Sequence, residues 1–226
     1  MKLYSGANIR NVALVGHGHA GKTSLVSAML FTSGATQRLG RVDDGSATTD
    51  YDDEEVARQM SISTGAAVVE WGGTKINFLD TPGFNMFVNE AKTVLPVVEA
   101  ALVVVDGVSG VEVVTQRVWN YAEEINLPRV IVVSRMDRDR ADADRVLESV
   151  TKAFGRAVVP LQLPIGKEKG FSGVIDLVRM KAYTYELGGS GKGKEGDIPA
   201  NLADAAKEAH EKLVEMIAEG NDALME

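Results

Sequence analysis

The sequence contains no cysteine, which excludes a disulfide framework and a thiolate metal site. No apolar run approaches the roughly 18 residues that a membrane-spanning helix needs, and the first residues lack the apolar centre of a signal peptide. Positive charge is also in deficit, because the sequence has 24 lysines and arginines and 32 aspartates and glutamates. We therefore expect a cytoplasmic protein with no membrane partner that does not itself bind free nucleic acid.

The 226 residues, 45% of them hydrophobic, suffice for one sizeable core with an appendage or for two small domains. Strand-like and helix-like segments alternate, which predicts an α/β fold with a mostly parallel central sheet covered by helices. Predicted strands are residues 9–16, 64–71, 74–80, 100–105, 129–134 and 157–163. Predicted helices are residues 22–33, 85–94, 111–125, 140–153 and 201–218.

Near the end of the chain, composition predicts a flexible loop over residues 188–196. The helix predicted after it carries an apolar stripe, which favours a packing surface over a binding groove. His210 in this helix is expected to be solvated.

A G-x-x-x-x-G-K-T motif joins the first predicted strand to the first predicted helix. Its members are Gly16, His17, Gly18, His19, Ala20, Gly21, Lys22 and Thr23. Backbone amides of such a loop turn toward an anion, Lys22 supplies charge for the β and γ phosphates, and Thr23 supplies a hydroxyl for Mg²⁺. The motif predicts a nucleoside triphosphate site. The alternative is a glycine-rich turn of the dinucleotide-binding kind.

A D-x-x-G motif ends the predicted strand 74–80. An aspartate at this place can hold Mg²⁺ through water, and the amide of the glycine can sense the γ-phosphate. The motif consists of Asp80, Thr81, Pro82 and Gly83.

A third motif, Ser134, Arg135, Met136 and Asp137, ends the predicted strand 129–134. Asp137 can accept two hydrogen bonds from the N1 and amino groups of guanine, which adenine cannot offer. The alternative is that Asp137 is the N-cap of the helix that follows.

Together the motifs resemble those of translational GTPases, most closely the elongation factor G family. Residues 44–50 and 58–62 are similar to its first switch segment, where the family has an R-G-I-T-I motif. Residues 160–166 and 173–178 are similar to the start of a subdomain inserted in its GTPase fold. The resemblance extends from about residue 8 to residue 226.

The resemblance implies a P-loop NTPase three-layer fold, with a GTPase core at residues 1–165 and part of an inserted α+β subdomain at residues 166–226. It implies GTP or GDP and Mg²⁺ as cofactors, with Thr23, Ser61 and Asp80 at the metal and Asp137 at guanine. Asp80, Thr81, Pro82, Gly83 and Phe84 would complete the phosphate-binding set. Because the family's last guanine-binding loop and later domains have no counterpart, we expect an N-terminal fragment of a longer protein.

Several residues depart from the family pattern, which suggests a divergent paralogue. Phe84 stands where the family has the histidine that orients the attacking water, so no catalytic residue is assigned. Asn85 and His19 are alternative candidates for that task, and His19 itself replaces an acidic residue. Ser134 and Arg135 replace asparagine and lysine, from which we expect a weakened preference for guanine.

The resemblance implies a GTP-binding and GTP-hydrolysing domain that acts with the ribosome in protein biosynthesis, during translocation or recycling. Its hydrolysis is expected to be stimulated by the ribosome and weak in the fragment alone. A second hypothesis is a nucleotide-dependent ribosome-binding module that hydrolyses GTP poorly or not at all, because of Phe84. An adenine-specific P-loop ATPase is a third.

Overall fold

The computed structural model describes residues 2–156, 158–186 and 188–219. The chain forms two compact units, Met1–Ser134 and Arg135–Glu226. In the first unit the elements are β1 Ile9–Gly16, α1 Lys22–Ser33, α2 Asp53–Arg58, β2 Gly65–Trp71, β3 Thr74–Asp80, α3 Val88–Val94, β4 Ala100–Asp106, α4 Val113–Glu124 and β5 Arg129–Ser134. In the second they are α5 Ala143–Phe154, β6 Gln162–Ile165, β7 Gly173–Asp176, β8 Lys181–Thr184, β9 Lys194–Gly196 and α6 Ala203–Glu219.

The first unit contains a five-stranded sheet in the order β2-β3-β1-β4-β5. Strand β2 is antiparallel to β3, and all other neighbours are parallel. Leu14 in β1 and Val103 in β4 have no exposed surface. Continuous apolar runs are what strands buried on both faces require, so the α/β fold with a mostly parallel sheet is confirmed.

The register of the parallel strands brings three of the sequence motifs to one edge of the sheet. Leu14 pairs with Asp80, and Asp106 pairs with Ser134. The carboxyl ends of β1, β3, β4 and β5 therefore lie side by side, which is where α/β folds place their ligands. Helix α1 leaves this edge and packs Val26 and Leu30 in one cluster with Leu14 and Phe78 of the sheet.

The second unit has its own four-stranded antiparallel sheet, in the order β6-β7-β8-β9. Its core joins Ile175 and Leu177 to Ala206 and Leu213 of α6. The packing role predicted for the apolar stripe is therefore confirmed. His210 is wrongly predicted as solvated, because it is half-buried and its Nδ1 lies 2.7 Å from the carbonyl oxygen of Leu177.

Most predicted elements of the first unit agree with the structure within two residues. The predicted helix 85–94 is a short 3₁₀ turn, Asn85–Phe87, followed by α3. Another 3₁₀ turn, Leu95–Val97, ends it at Pro96, because proline cannot donate the next helical hydrogen bond.

Two predictions in the second unit are wrong. The strand predicted at 157–163 lies at Gln162–Ile165, where it forms the edge of the second sheet; Ala157 lies outside the described residues. The predicted loop 188–196 includes β9, which pairs with β8. Both segments are short edge strands, which carry weak periodicity signals. The predicted boundary between a core at 1–165 and an inserted subdomain at 166–226 stays a prediction about family architecture.

Among the described residues, no helix combines the length and apolar character needed to cross a membrane.

We predict that Leu14→Ala lowers the free energy of unfolding by about 2–5 kcal/mol, because it removes a fully buried side chain from the central strand and leaves a cavity. Val68→Ala in β2, at a site that is 45% exposed, is the control and should cost less than about 1 kcal/mol. Urea unfolding followed by circular dichroism measures both. Equal losses in the two variants would contradict this description of the core.

Candidate functional site

The loop after β1 has the backbone shape that an anion cradle requires. Gly16 and Gly21 have φ angles of 146° and 91°, a region that favours glycine. A Cβ carbon at Gly16 would overlap the backbone carbonyl of Val104 in the neighbouring strand. The buried Lys22 folds over the loop, and its Nζ donates to the carbonyl oxygens of Gly16 at 3.3 Å and His17 at 2.9 Å. The ammonium group is thereby held at the loop.

The D-x-x-G segment packs directly on this loop. A Cβ carbon on Gly83 would lie 2.6 Å from the carbonyl group of His17 and closer still to Lys22 Nζ, so only glycine fits. Thr81 fixes the approach, because its backbone N–H and its hydroxyl both donate to the carbonyl of Leu14, at 3.2 and 2.7 Å. The hydroxyl of Thr81 is thus engaged in the fold, and Pro82 beside it is buried.

Three oxygen-bearing side chains form a chain from α1 to the predicted first switch segment. Thr23 Oγ1 lies 3.2 Å from Ser61 Oγ. The Ser61 hydroxyl donates to Asp50 Oδ1 at 2.7 Å. The two hydroxyls predicted at the metal are therefore neighbours. Next to Ser61 lies the carboxylate of Asp50, to which the sequence motifs assign no role.

Asp80 lies at the end of β3 and is 1% exposed. Its Oδ2 accepts a hydrogen bond from the Thr49 hydroxyl at 2.7 Å. Its Oδ1 is buried without a hydrogen-bond partner in the described part of the chain. Burial raises the pKa of Asp80 to about 6, although the Thr49 hydrogen bond, the charge of Lys22 and the nearby Thr23 hydroxyl act in the opposite direction.

The acidic run around α2 divides into buried and exposed members. Asp50 and Glu55 are buried, and the residues between them are exposed. Burial raises the pKa of Asp50, against the hydrogen bond from Ser61. Glu55 Oε1 accepts from the backbone N–H groups of Ile62 and Ser63 at 2.8 and 2.9 Å.

Glu55 also completes a capping box with Asp52, the residue that precedes α2. Helix α2 and the segment around Ser61 are therefore connected through one buried carboxylate. The D-x-x-E spacing of a capping box was the local signal that could have predicted this helix and its glutamate.

Phe84 lies against the phosphate loop. A Cβ carbon on Gly18 would come within 3.1–3.2 Å of three atoms of the Phe84 ring. The ring also meets the imidazole of His19 edge-on, with centroids 5.1 Å apart and planes at 90°. Phe84 and His19 both depart from the elongation factor G pattern, and the structure places them in contact.

Both ring nitrogens of His17 contact the N-terminal end of helix α4 and the residue before it. Its Nδ1 accepts from the backbone N–H of Val114 at 3.4 Å, and its Nε2 lies 3.5 Å from Glu112 Oε1. Next to Phe84, Asn85 Oδ1 accepts a hydrogen bond from Arg117 Nη1 of the same helix. Helix α4 thus holds both the phosphate loop and the D-x-x-G segment.

Ser134 at the end of β5 donates its hydroxyl to the carbonyl oxygen of Ala20 at 2.6 Å, so it supports the phosphate loop. The next residue, Arg135, adopts a left-handed conformation with φ 57°, and Met136 is buried. Asp137 is exposed.

The alternative in which Asp137 caps the following helix is wrong. Helix α5 begins at Ala143, and its cap is Asp142, whose side chain accepts from Arg145 N–H at 3.0 Å. Asp137 precedes that cap by five residues and makes no hydrogen bond among the described residues.

These elements define a P-loop nucleotide-binding domain of the GTPase class, with a phosphate loop and two flanking segments that contact it. The chain matches the family described as Elongation factor Tu GTP binding domain over residues 7–221. It belongs to this family of GTP-binding domains of translational GTPases.

Among solved structures, the chain is similar to a crystal structure of a protein from Thermus thermophilus. The two are 37% identical, with a TM-score of 0.90. The match covers 97% of this chain and 33% of the Thermus protein, so the chain spans about a third of the length of that relative.

We predict that the nucleotide-free, Mg²⁺-free protein becomes less stable as pH rises from about 4 to about 6. The folded state retains the Asp80 proton in that window and the unfolded state does not, so stability present below pH 4 is lost. A shift of about two pKa units corresponds to about 3 kcal/mol.

Asp80→Asn should reduce this slope and leave the smaller part that comes from Asp50, whose pKa is also raised by burial. Asp43→Asn, at an exposed site, should keep the slope of the parent. Urea midpoints at half-unit pH intervals measure the effect. An unchanged slope in Asp80→Asn would contradict the assignment.

Proposed function

We propose that this chain is the GTP-binding and GTP-hydrolysing domain of an elongation factor G-like protein that acts on the ribosome during translation, in translocation or recycling. The observation that carries the proposal is that two segments far apart in sequence both meet the phosphate loop and α1. Gly83 packs on Lys22, and Ser61 reaches Thr23. This arrangement suits a domain that changes shape when the γ-phosphate is lost, because both segments contact the place where that phosphate would bind.

Magnesium fits the residues at this place. Mg²⁺ prefers oxygen ligands and usually takes one or two carboxylates together with phosphates and waters. The hydroxyls of Thr23 and Ser61 would be ligands, and Asp80 would accept from a metal-bound water. The unpartnered buried Oδ1 of Asp80 supports this role. The described residues contain no group of three or more histidine, cysteine, aspartate or glutamate side chains that could hold a metal by themselves.

When bound, Mg²⁺ would neutralise charge on the β and γ phosphates. The remaining contacts to the phosphates would come from the chain's own residues. Lys22 would donate to the same phosphate oxygens, and the Gly83 amide would bond the γ-phosphate. Glu55 would hold the backbone on the far side of Ser61, so that its hydroxyl stays at Thr23.

Guanine selection is assigned to Asp137, with Arg135 and Met136 beside it. An exposed carboxylate without a hydrogen bond among the described residues suits a group that binds a ligand. Ser134 would act indirectly, since its hydroxyl bonds to Ala20.

The ribosome as partner follows from the resemblance to elongation factor G and from family membership. The same resemblance supports a GTPase core at residues 1–165, part of an inserted subdomain at 166–226, a cytoplasmic location and a divergent paralogue. Because the chain carries a net charge of −8, contact with ribosomal RNA would come through a local basic patch or within a larger assembly.

A second function, a nucleotide-dependent ribosome-binding module with little hydrolysis, is favoured by Phe84. A phenyl ring offers no hydrogen bond to an attacking water. Phosphate release in the presence of ribosomes distinguishes the two. Multiple turnovers support the enzyme, and GTP-dependent ribosome binding without turnover supports the module.

We predict that Asp137→Asn weakens GDP binding by about tenfold to a hundredfold, because two charge-assisted hydrogen bonds to guanine are lost. Fluorescent GDP is bound to the parent with Mg²⁺ and displaced by GTP, GDP or ATP. Only guanine nucleotides should displace it.

The matched control is Asp139→Asn, two residues away, where an exposed aspartate pairs with Lys169. It should bind GDP like the parent. Displacement by ATP as strong as by GTP, or no effect of Asp137→Asn, would refute guanine selection by this motif.

A further inference from the structure

His19 is an exposed histidine inside the phosphate loop. His17 accepts a hydrogen bond from Val114 of α4 and lies 3.5 Å from Glu112, which precedes that helix, and His210 contacts the Leu177 carbonyl. In the part of the chain that the structure describes, neither ring nitrogen of His19 has a hydrogen-bond partner. The imidazole of His19 is therefore available to a ligand of the loop.

The backbone of His19 is also unusual. Its φ angle of 61° lies in the left-handed region, which is costly for a residue other than glycine. Such outliers concentrate at functional sites, where the fold maintains them for a purpose. A glycine would adopt this conformation without cost. The presence of histidine at this position therefore suggests that its side chain has a function.

Phe84 contacts that side chain. Its ring lies perpendicular to the imidazole at a centroid distance of 5.1 Å, a favourable arrangement for two aromatic rings. Because Gly18 has no side chain, the Phe84 ring can lie over the loop. Phe84 cannot donate or accept a hydrogen bond with its side chain, but it restricts the rotation of a neighbour that can.

The other polar candidate beside this position is already engaged. Asn85 accepts a hydrogen bond from Arg117, which holds it toward α4. His19 thus combines position in the loop, exposure and unused hydrogen-bonding capacity.

From these contacts we infer that His19 donates a hydrogen bond to the terminal phosphate of the bound triphosphate, and that Phe84 positions its ring for this contact. The inference rests on the proposed function and adds to it a source for the hydrogen bond that Phe84 cannot provide. Phe84 and His19 are then one functional pair contributed by two segments.

In the reaction, a water oxygen forms a bond to the γ-phosphorus. The bond between that phosphorus and the β–γ bridging oxygen breaks, and its electron pair stays on the β-phosphate of GDP. One proton of the water stays on the oxygen that is now bonded to phosphorus, and the other passes to a phosphate oxygen or to solvent. The N–H of His19 stabilises the negative charge that grows on the phosphate oxygens, an effect worth about a hundredfold in rate for one well-placed donor.

The test is single-turnover hydrolysis of γ-labelled GTP with the protein in excess, together with GTP affinity measured separately. His19→Ala should lower the rate constant about a hundredfold with GTP affinity nearly unchanged. His19→Gln, which keeps an N–H donor, should recover part of the rate, and added free imidazole should partly restore His19→Ala. Phe84→Leu should give an intermediate loss. His210→Gln in the second unit is the control and should match the parent.

Three results would overturn the inference. His19→Ala could hydrolyse GTP at the parent's rate, or lose affinity in step with rate and gain nothing from imidazole, which would mean a structural role only. The parent could bind GTP and show no turnover at all, which would overturn the inference and the hydrolytic part of the proposed function, and would leave the nucleotide-dependent binding module as the surviving function. Failure of the parent to bind GTP would instead refute the proposed function itself.

Discussion

The burial of one carboxylate, Asp80, is the constraint around which the site is organised. Strand β3 ends with this side chain 1% exposed, one hydrogen bond from Thr49 and one oxygen without a partner in the described residues. A buried negative charge with unsatisfied acceptor capacity is costly unless a cation or a donor balances it. The fold accepts this cost at the edge of the sheet where the phosphate loop also begins, which is why we assign a metal-bound water to that oxygen.

The predicted first switch segment, residues 44–50 and 58–62, is connected to this carboxylate by short side chains. Thr49 bonds to Asp80, and its neighbour Asp50 bonds to Ser61, which meets Thr23 of the phosphate loop. Glu55 secures the far end of the segment through two backbone amides. If Mg²⁺ and the nucleotide left the site, the carboxylates of Asp50 and Asp80 would lose the positive charge that balances them. The segment that carries Asp50 therefore has a physical reason to change conformation with the nucleotide.

Prediction from sequence succeeded where the signal is local. The glycine spacing of the phosphate loop and the apolar runs of β1, β4 and β5 predict their elements within two residues, because each pattern has a direct physical cause. It failed for β7, β8 and β9, which are only three or four residues long. The roles of Asp50 and Glu55 were hidden within a run of charges whose other members are exposed, and only tertiary contacts separate them. The contact between His19 and Phe84 links residues far apart in sequence, so no local pattern contains it.

The most direct test of the central claim is the Mg²⁺ dependence of GTP affinity in the parent and in Asp80→Asn, measured by titration with Mg²⁺ present and with Mg²⁺ chelated. If the Asp80 carboxylate is there to balance a metal and its water, Mg²⁺ should strengthen GTP binding markedly in the parent and much less in the variant. The same gain from Mg²⁺ in both proteins would contradict the account and leave the burial of Asp80 without a functional explanation.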